Sequence, residues 1–136
     1  MIRGSCLCKR VRFEIHGKFG ETSHCHCSMC RKATGAAFGT YASVRADNFR
    51  VVAGEELILR YQSSPGVERT FCSRCGSTLQ FISEKNPGVV EVALGVLDDD
   101  PGIRATRHIF VASKAPWFEI ADDLPQFPAS SVKSKE

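Results

Sequence analysis

Seven cysteines fall into three short groups: Cys6-Leu-Cys8, Cys25-His-Cys27-Ser-Met-Cys30 and Cys72-Ser-Arg-Cys75-Gly76. Thiols one or two residues apart point at a common centre, which suits a chelated metal. A disulfide between such near neighbours is strained. Seven is also odd, so disulfides alone would leave one thiol over. The number divides naturally into four plus three. Four thiolates make a closed site of the kind that holds structural zinc, and three with a vacant position make a site of the catalytic kind. Two zinc ions per chain are therefore expected.

The 136 residues suffice for one domain with a modest core. At 43% hydrophobic and 24% charged, the chain reads as an ordinary globular protein. Apolar stretches run only a few residues, so no membrane span is expected. Residues 1–6 have no apolar signal region, so a cytoplasmic location with reduced cysteines is expected. Net charge is +3 and the basic residues are scattered, without the basic–aromatic interleaving of a nucleic-acid platform. Nucleic acid is accordingly not an expected partner.

Strand signals dominate. Residues 11–16 alternate apolar and polar, 36–44 are rich in strand formers and small residues, and 67–72, 77–82 and 89–94 continue the pattern. Residues 49–52 and 57–62 are separated by Ala53-Gly54-Glu55-Glu56, which predicts a hairpin. One short helix is expected over 28–33, capped by Ser28 and stopped by Gly35. Pro116, Pro125 and Pro128 predict an irregular surface course from residue 108 onward, ending in a frayed polar tail over 129–136. The reading is a single mainly β domain over residues 1–128, its small antiparallel sheets stitched by metal.

Cys72-x-x-Cys75-Gly76 lies between two expected strands, and the glycine lets the backbone turn its amides toward the sulfurs. Such a knuckle needs a second pair of ligands. Cys6-x-Cys8 can supply it, because alternate residues of an extended chain project to one side. A redox Cys-x-x-Cys usually opens a helix, whereas residues 77–82 read as strand. Cys25, Cys27 and Cys30 can wrap one side of a tetrahedral metal and leave a corner open for water or a substrate sulfur. An iron–sulfur cluster, a Cys3His site closed by His24 or His26, and reactive thiols stand beside that reading. Neighbouring or surface roles suit His24 and His26 better than ligation. His16 and His108 carry no signal of their own, and Trp117 suits a core or pocket wall.

Together these motifs resemble the glutathione-dependent formaldehyde-activating enzyme family, also known as the CENP-V/GFA domain family. The pieces are Gly4-Ser-Cys-Leu-Cys8, residues 25–35, Phe71-Cys-Ser-Arg-Cys-Gly-Ser77, residues 108–117 and residues 123–127, in family order. The resemblance implies an Mss4-like β-tent. It implies a structural zinc at Cys6, Cys8, Cys72 and Cys75 and a catalytic zinc at Cys25, Cys27 and Cys30. It also implies carbon–sulfur lyase chemistry on a thiol–aldehyde adduct such as S-hydroxymethylglutathione, so a small thiol and an aldehyde are the expected substrates. A non-catalytic zinc module for protein or nucleic-acid partners, which the same fold class can host, is the alternative. Arg31 and Lys32 are candidates to hold substrate carboxylates, and Phe38, Tyr41, Trp117 and Phe118 to wall the pocket.

Overall fold

A computed structural model of the chain describes residues 1–130; the expected tail from 131 to 136 lies outside the described residues. The fold is mainly β, as expected, with two sheets and one short helix. The smaller sheet runs β1 (Ile2–Ser5), β2 (Arg12–Ile15), β5 (Phe49–Ala53). The larger has seven strands in the order β10 (Arg107–Ile109), β3 (Thr22–Cys25), β4 (Gly39–Arg45), β9 (Val89–Ala93), β8 (Thr78–Ser83), β7 (Val67–Cys72), β6 (Ile58–Ser64). All neighbours pair antiparallel except β10, which lies parallel to β3.

The core forms where the two sheets face each other. Val11, Phe13 and Ile15, all at 1% exposure or less, pack with Val44, Leu79, Val90 and Val92 of the larger sheet. Alternation in β2 makes this possible: Phe13 and Ile15 point inward while Arg12 faces solvent. Phe13 stacks on Phe49 of β5 at 4.8 Å between ring centroids. Each such burial contributes about 1.5–3 kcal/mol.

Four expectations change. Residues 49–52 and 57–62 do not form a hairpin, because β5 pairs with β2 and β6 pairs with β7. The segment between them crosses from one sheet to the other. Helix α1 (Ser28–Thr34) is capped by the Cys27 sulfur, which accepts from Cys30 N, rather than by Ser28. Its stop at Gly35, in the left-handed conformation, is as expected. The course from His108 onward is not wholly irregular, since it includes β10. Finally, Ala129 does not hang free, because its carbonyl accepts from Phe110 N.

Gly54 makes the crossover between sheets possible. Its φ is 79°, and a Cβ there would lie 2.2 Å from the Arg10 carbonyl oxygen. A side chain would meet both backbone strain and a backbone clash. Gly54→Ala is expected to cost about 2–3 kcal/mol in urea denaturation. An unchanged midpoint would show that the crossover tolerates a side chain.

Candidate metal centres

The first cysteine group joins the two sheets. Cys6 follows β1 of the smaller sheet, and Cys72 ends β7 of the larger. The Sγ atoms of Cys6, Cys8, Cys72 and Cys75 all lie within 4.8 Å of one another. Cys6 and Cys8 are 3.5 Å apart and Cys8 and Cys72 3.9 Å. Four sulfurs at about 2.3 Å from a tetrahedral ion stand about 3.8 Å apart, so this donor set fits zinc. The Cys6–Cys8 pair is not extended as the alternation argument assumed. It sits on a turn, with Lys9 at φ 67° and Lys9 N donating to Cys6 O. The other side mirrors it: Gly76 has φ 80° and its N–H donates to Cys72 O. Both turns aim amides at sulfur, from Val11 N to Cys6 and from Arg74 N to Cys72. The Ser77 hydroxyl, 3.3 Å from Cys75, helps bring that thiol down to about 5.

The second group gathers at one end of the larger sheet. Cys25 ends β3, Cys27 caps α1 and Cys30 lies in its first turn. Their sulfurs also lie within 4.8 Å of one another. No histidine joins them: the groups of potential ligands among the described residues are these three cysteines and the four above. Thiols this close share protons. Hydrogen bonds from Cys25 and then Cys30 hold Cys27 well below the usual thiol range, and the same crowding pushes Cys25 far above it. Three soft donors on one side suit a tetrahedral zinc with one position left to an outside ligand.

These three sulfurs line a cavity of about 370 Å³ on one face of the larger sheet. Strand register explains its other walls. Tyr41 stands opposite Ser23, one row from Cys25. A further row runs Arg69, Phe81, Glu91, Ser43 across four adjacent strands, β7, β8, β9 and β4. Two residues along a strand span about 6.7 Å, so the cavity reaches well beyond the sulfurs. Tyr41 is 4% exposed, and burial first, then the Cys30 charge, push its phenol up to about 12. Of the proposed walls only Tyr41 lines this cavity. Phe38 and Phe118 instead pack on His26, and Trp117 is 70% exposed. Arg31 and Lys32 lie on α1 and do not line it; the cation that does is Arg69.

Behind the sulfurs, on the opposite side of β3, sits a feature that sequence reasoning missed. His26 Nε2 lies 2.8 Å from His108 Nδ1, and His108 Nε2 lies 3.0 Å from Asp122. Both imidazoles are at or below 1% exposure. Burial, then His108, lowers His26 to about 4 and keeps it neutral. His24 joins the cluster by its ring contact with His108, 4.9 Å between centroids, and bonds Thr40 at 2.7 Å. The signal available was the alternation His24-Cys25-His26-Cys27, which places imidazoles on one face and thiols on the other. His108 reaches this cluster through the parallel pairing of β10, and Asp122 through its bond to His108.

Glu91 is a half-buried acid in the cavity row, bonded to Ser43 at 2.8 Å, and its loss of solvent raises its pKa above 4.5. The unfolded chain therefore deprotonates first as pH rises, so this residue costs stability above pH 4.5 and nothing well below it. Glu91→Gln is expected to melt higher than the parent at pH 7, with the difference vanishing near pH 4. A lower melting point at pH 7 would show that the charged carboxylate holds the fold.

Residues 1–113 match the family model described as glutathione-dependent formaldehyde-activating enzyme. A Halomonas elongata protein that carries that name provisionally is 36% identical over 129 residues, covering 88% of this chain and 81% of its own. An uncharacterized lyase of Schizosaccharomyces pombe is 34% identical over 131 residues, covering 95% and 92%. A crystal structure of a Rhodobacter sphaeroides protein, 30% identical, superposes with a TM-score of 0.61 over 75% of this chain and 90% of that one. The match extends through all three cysteine groups, and the chain belongs to the glutathione-dependent formaldehyde-activating enzyme family.

Proposed function

We propose that zinc occupies both cysteine groups and that the Cys25–Cys27–Cys30 centre carries a reversible thiol–aldehyde reaction, as in the formation of S-hydroxymethylglutathione. Family membership makes the chain an enzyme of carbon–sulfur lyase type. The observation that carries the reading is the contrast between the groups. The first group brings together four sulfurs, a full tetrahedral set, beside the main core, whereas Cys25, Cys27 and Cys30 bring three and line a cavity. Cys25, Cys27 and Cys30 would hold the zinc, which when bound would offer a fourth position to a sulfur and lower the pKa of a thiol there. Tyr41 and Phe81 form an apolar wall, ring edge to ring face at 4.9 Å, that excludes water beside the sulfurs. Ser43 and Glu91, two rows away, offer hydrogen bonds to the far end of a small thiol.

The functional unit we infer is one domain over residues 1–128, because His108 N and Phe127 N exchange hydrogen bonds with the opposing segment and Ala112 N reaches Pro128 O. No helix among the described residues is long and apolar enough to cross a membrane. A reducing compartment such as the cytoplasm suits seven unpaired cysteines.

Metal analysis of the purified chain is expected to find two zinc per chain. Cys27→Ser should lose one and remain folded by circular dichroism, whereas Cys72→Ser should unfold the domain. Exchange between glutathione and its formaldehyde adduct, followed by NMR, should depend on zinc and disappear in Cys27→Ser. Zinc loss with unfolding in Cys27→Ser would overturn the open-site assignment. Absence of turnover with every thiol–aldehyde pair tried would favour a zinc module that binds a partner.

A further inference from the structure

Arg69 has no carboxylate partner among the described residues. It is half-buried, and its guanidinium lies over the Phe81 ring at 5.1 Å. Its Nε donates to Ser63 Oγ at 3.2 Å and its Nη2 to Cys30 Sγ at 3.6 Å, and its buried Nη1 has no hydrogen-bond partner. The acids that share its cavity are engaged elsewhere, Glu91 with Ser43 and Glu21 with Arg107. Phe81 also stands between Arg69 and Glu91 in the cross-strand row. A guanidinium removed from water is costly unless a negative charge lies nearby. The negative group in contact with it, among the described residues, is the Cys30 sulfur.

That arrangement bears on what the centre can accept. Three thiolates around a divalent zinc leave one net negative charge, and a fourth anionic sulfur leaves two. In a cavity walled by Phe81, Tyr41 and Ile109, such a charge is poorly screened. We propose that Arg69 is the charge-balancing residue of the three-sulfur centre, selecting an anionic thiolate over a neutral ligand as its fourth donor. The inference rests on the reading of Cys25, Cys27 and Cys30 as an open zinc site. On binding, the thiol gives its proton to solvent and its sulfur donates a lone pair to the open position. Arg69 places its positive charge beside Cys30, and its Nη1 is left without a hydrogen-bond partner among the described residues. The fork matters as well as the charge, because Nε and Nη2 are already committed to Ser63 and Cys30 and hold the plane in place.

The test uses the full zinc-loaded chain and two probes, 2-mercaptoethanol as thiolate donor and imidazole as neutral donor, titrated by calorimetry at constant pH. Arg69→Met is expected to weaken 2-mercaptoethanol about 10- to 100-fold while imidazole changes less than about twofold. Arg69→Lys should recover most of the thiol affinity. Arg69→Gln repeats the comparison if the Met variant loads less than two zinc. Equal losses for both probes, or no loss for either, would overturn the proposal. If the parent chain loads one zinc only, or binds neither probe at Cys25, Cys27 and Cys30, the open-site reading itself falls. A parent that prefers thiolate through Arg69 yet turns over no adduct would keep this inference and remove the lyase reading.

Discussion

The four-sulfur tie between the sheets is the interaction on which the rest depends. The smaller sheet contributes three short strands, too few to hold its place by backbone pairing alone. Its link to the larger sheet is the Phe13-centred core and, at one end, Cys6 and Cys8 brought against Cys72 and Cys75. Sixty-four positions separate Cys8 from Cys72, so a metal held there would close a long loop. The core is small, and such a clip would do for it what added apolar area does in a larger domain.

With the sheets fixed at that end, the larger one becomes a rigid floor for the other three sulfurs. Cys25 and Ser23 on β3, Tyr41 and Ser43 on β4, Glu91 on β9, Phe81 on β8 and Arg69 on β7 all rise from one face. Their spacing is set by strand register rather than by loop conformation. Only α1 is laid on top, and its cap sulfur belongs to the same centre. The helix cap and the proposed metal ligand are thus one atom, Cys27 Sγ, and a metal bound there would couple to helix order.

Much of this was legible in the sequence. The cysteine grouping separated four sulfurs from three, and alternation located most strands within a residue or two. What failed has a physical pattern. Residues 49–62 carry two strand signals and a turn signal, but nothing local says which sheet each strand joins; that is decided by whether Phe49 stacks on Phe13. Ser28 is a better cap than cysteine by propensity, yet the sulfur geometry places Cys27 there. Arg31 and Lys32 drew notice because they flank cysteines in sequence, whereas the cation at the centre, Arg69, arrives from a strand 39 residues away from Cys30. His108 and Asp122 were silent for the same reason: their meaning is made by long-range pairing.

The parallel strand β10 has a consequence for chain architecture. It occupies the outer side of β3, the strand that delivers Cys25, and register sets His108 beside His24 and Ile109 beside Cys25. Without it, the unpaired amides and carbonyls of β3 would form an open edge next to reactive thiols, a template for another chain. The residues that supply this cover come from the far end of the sequence and are held in turn by Phe127 and Pro125. Protection of the Cys25 strand from intermolecular pairing therefore falls to residues more than 80 positions further along the chain, and that edge is closed only once they dock.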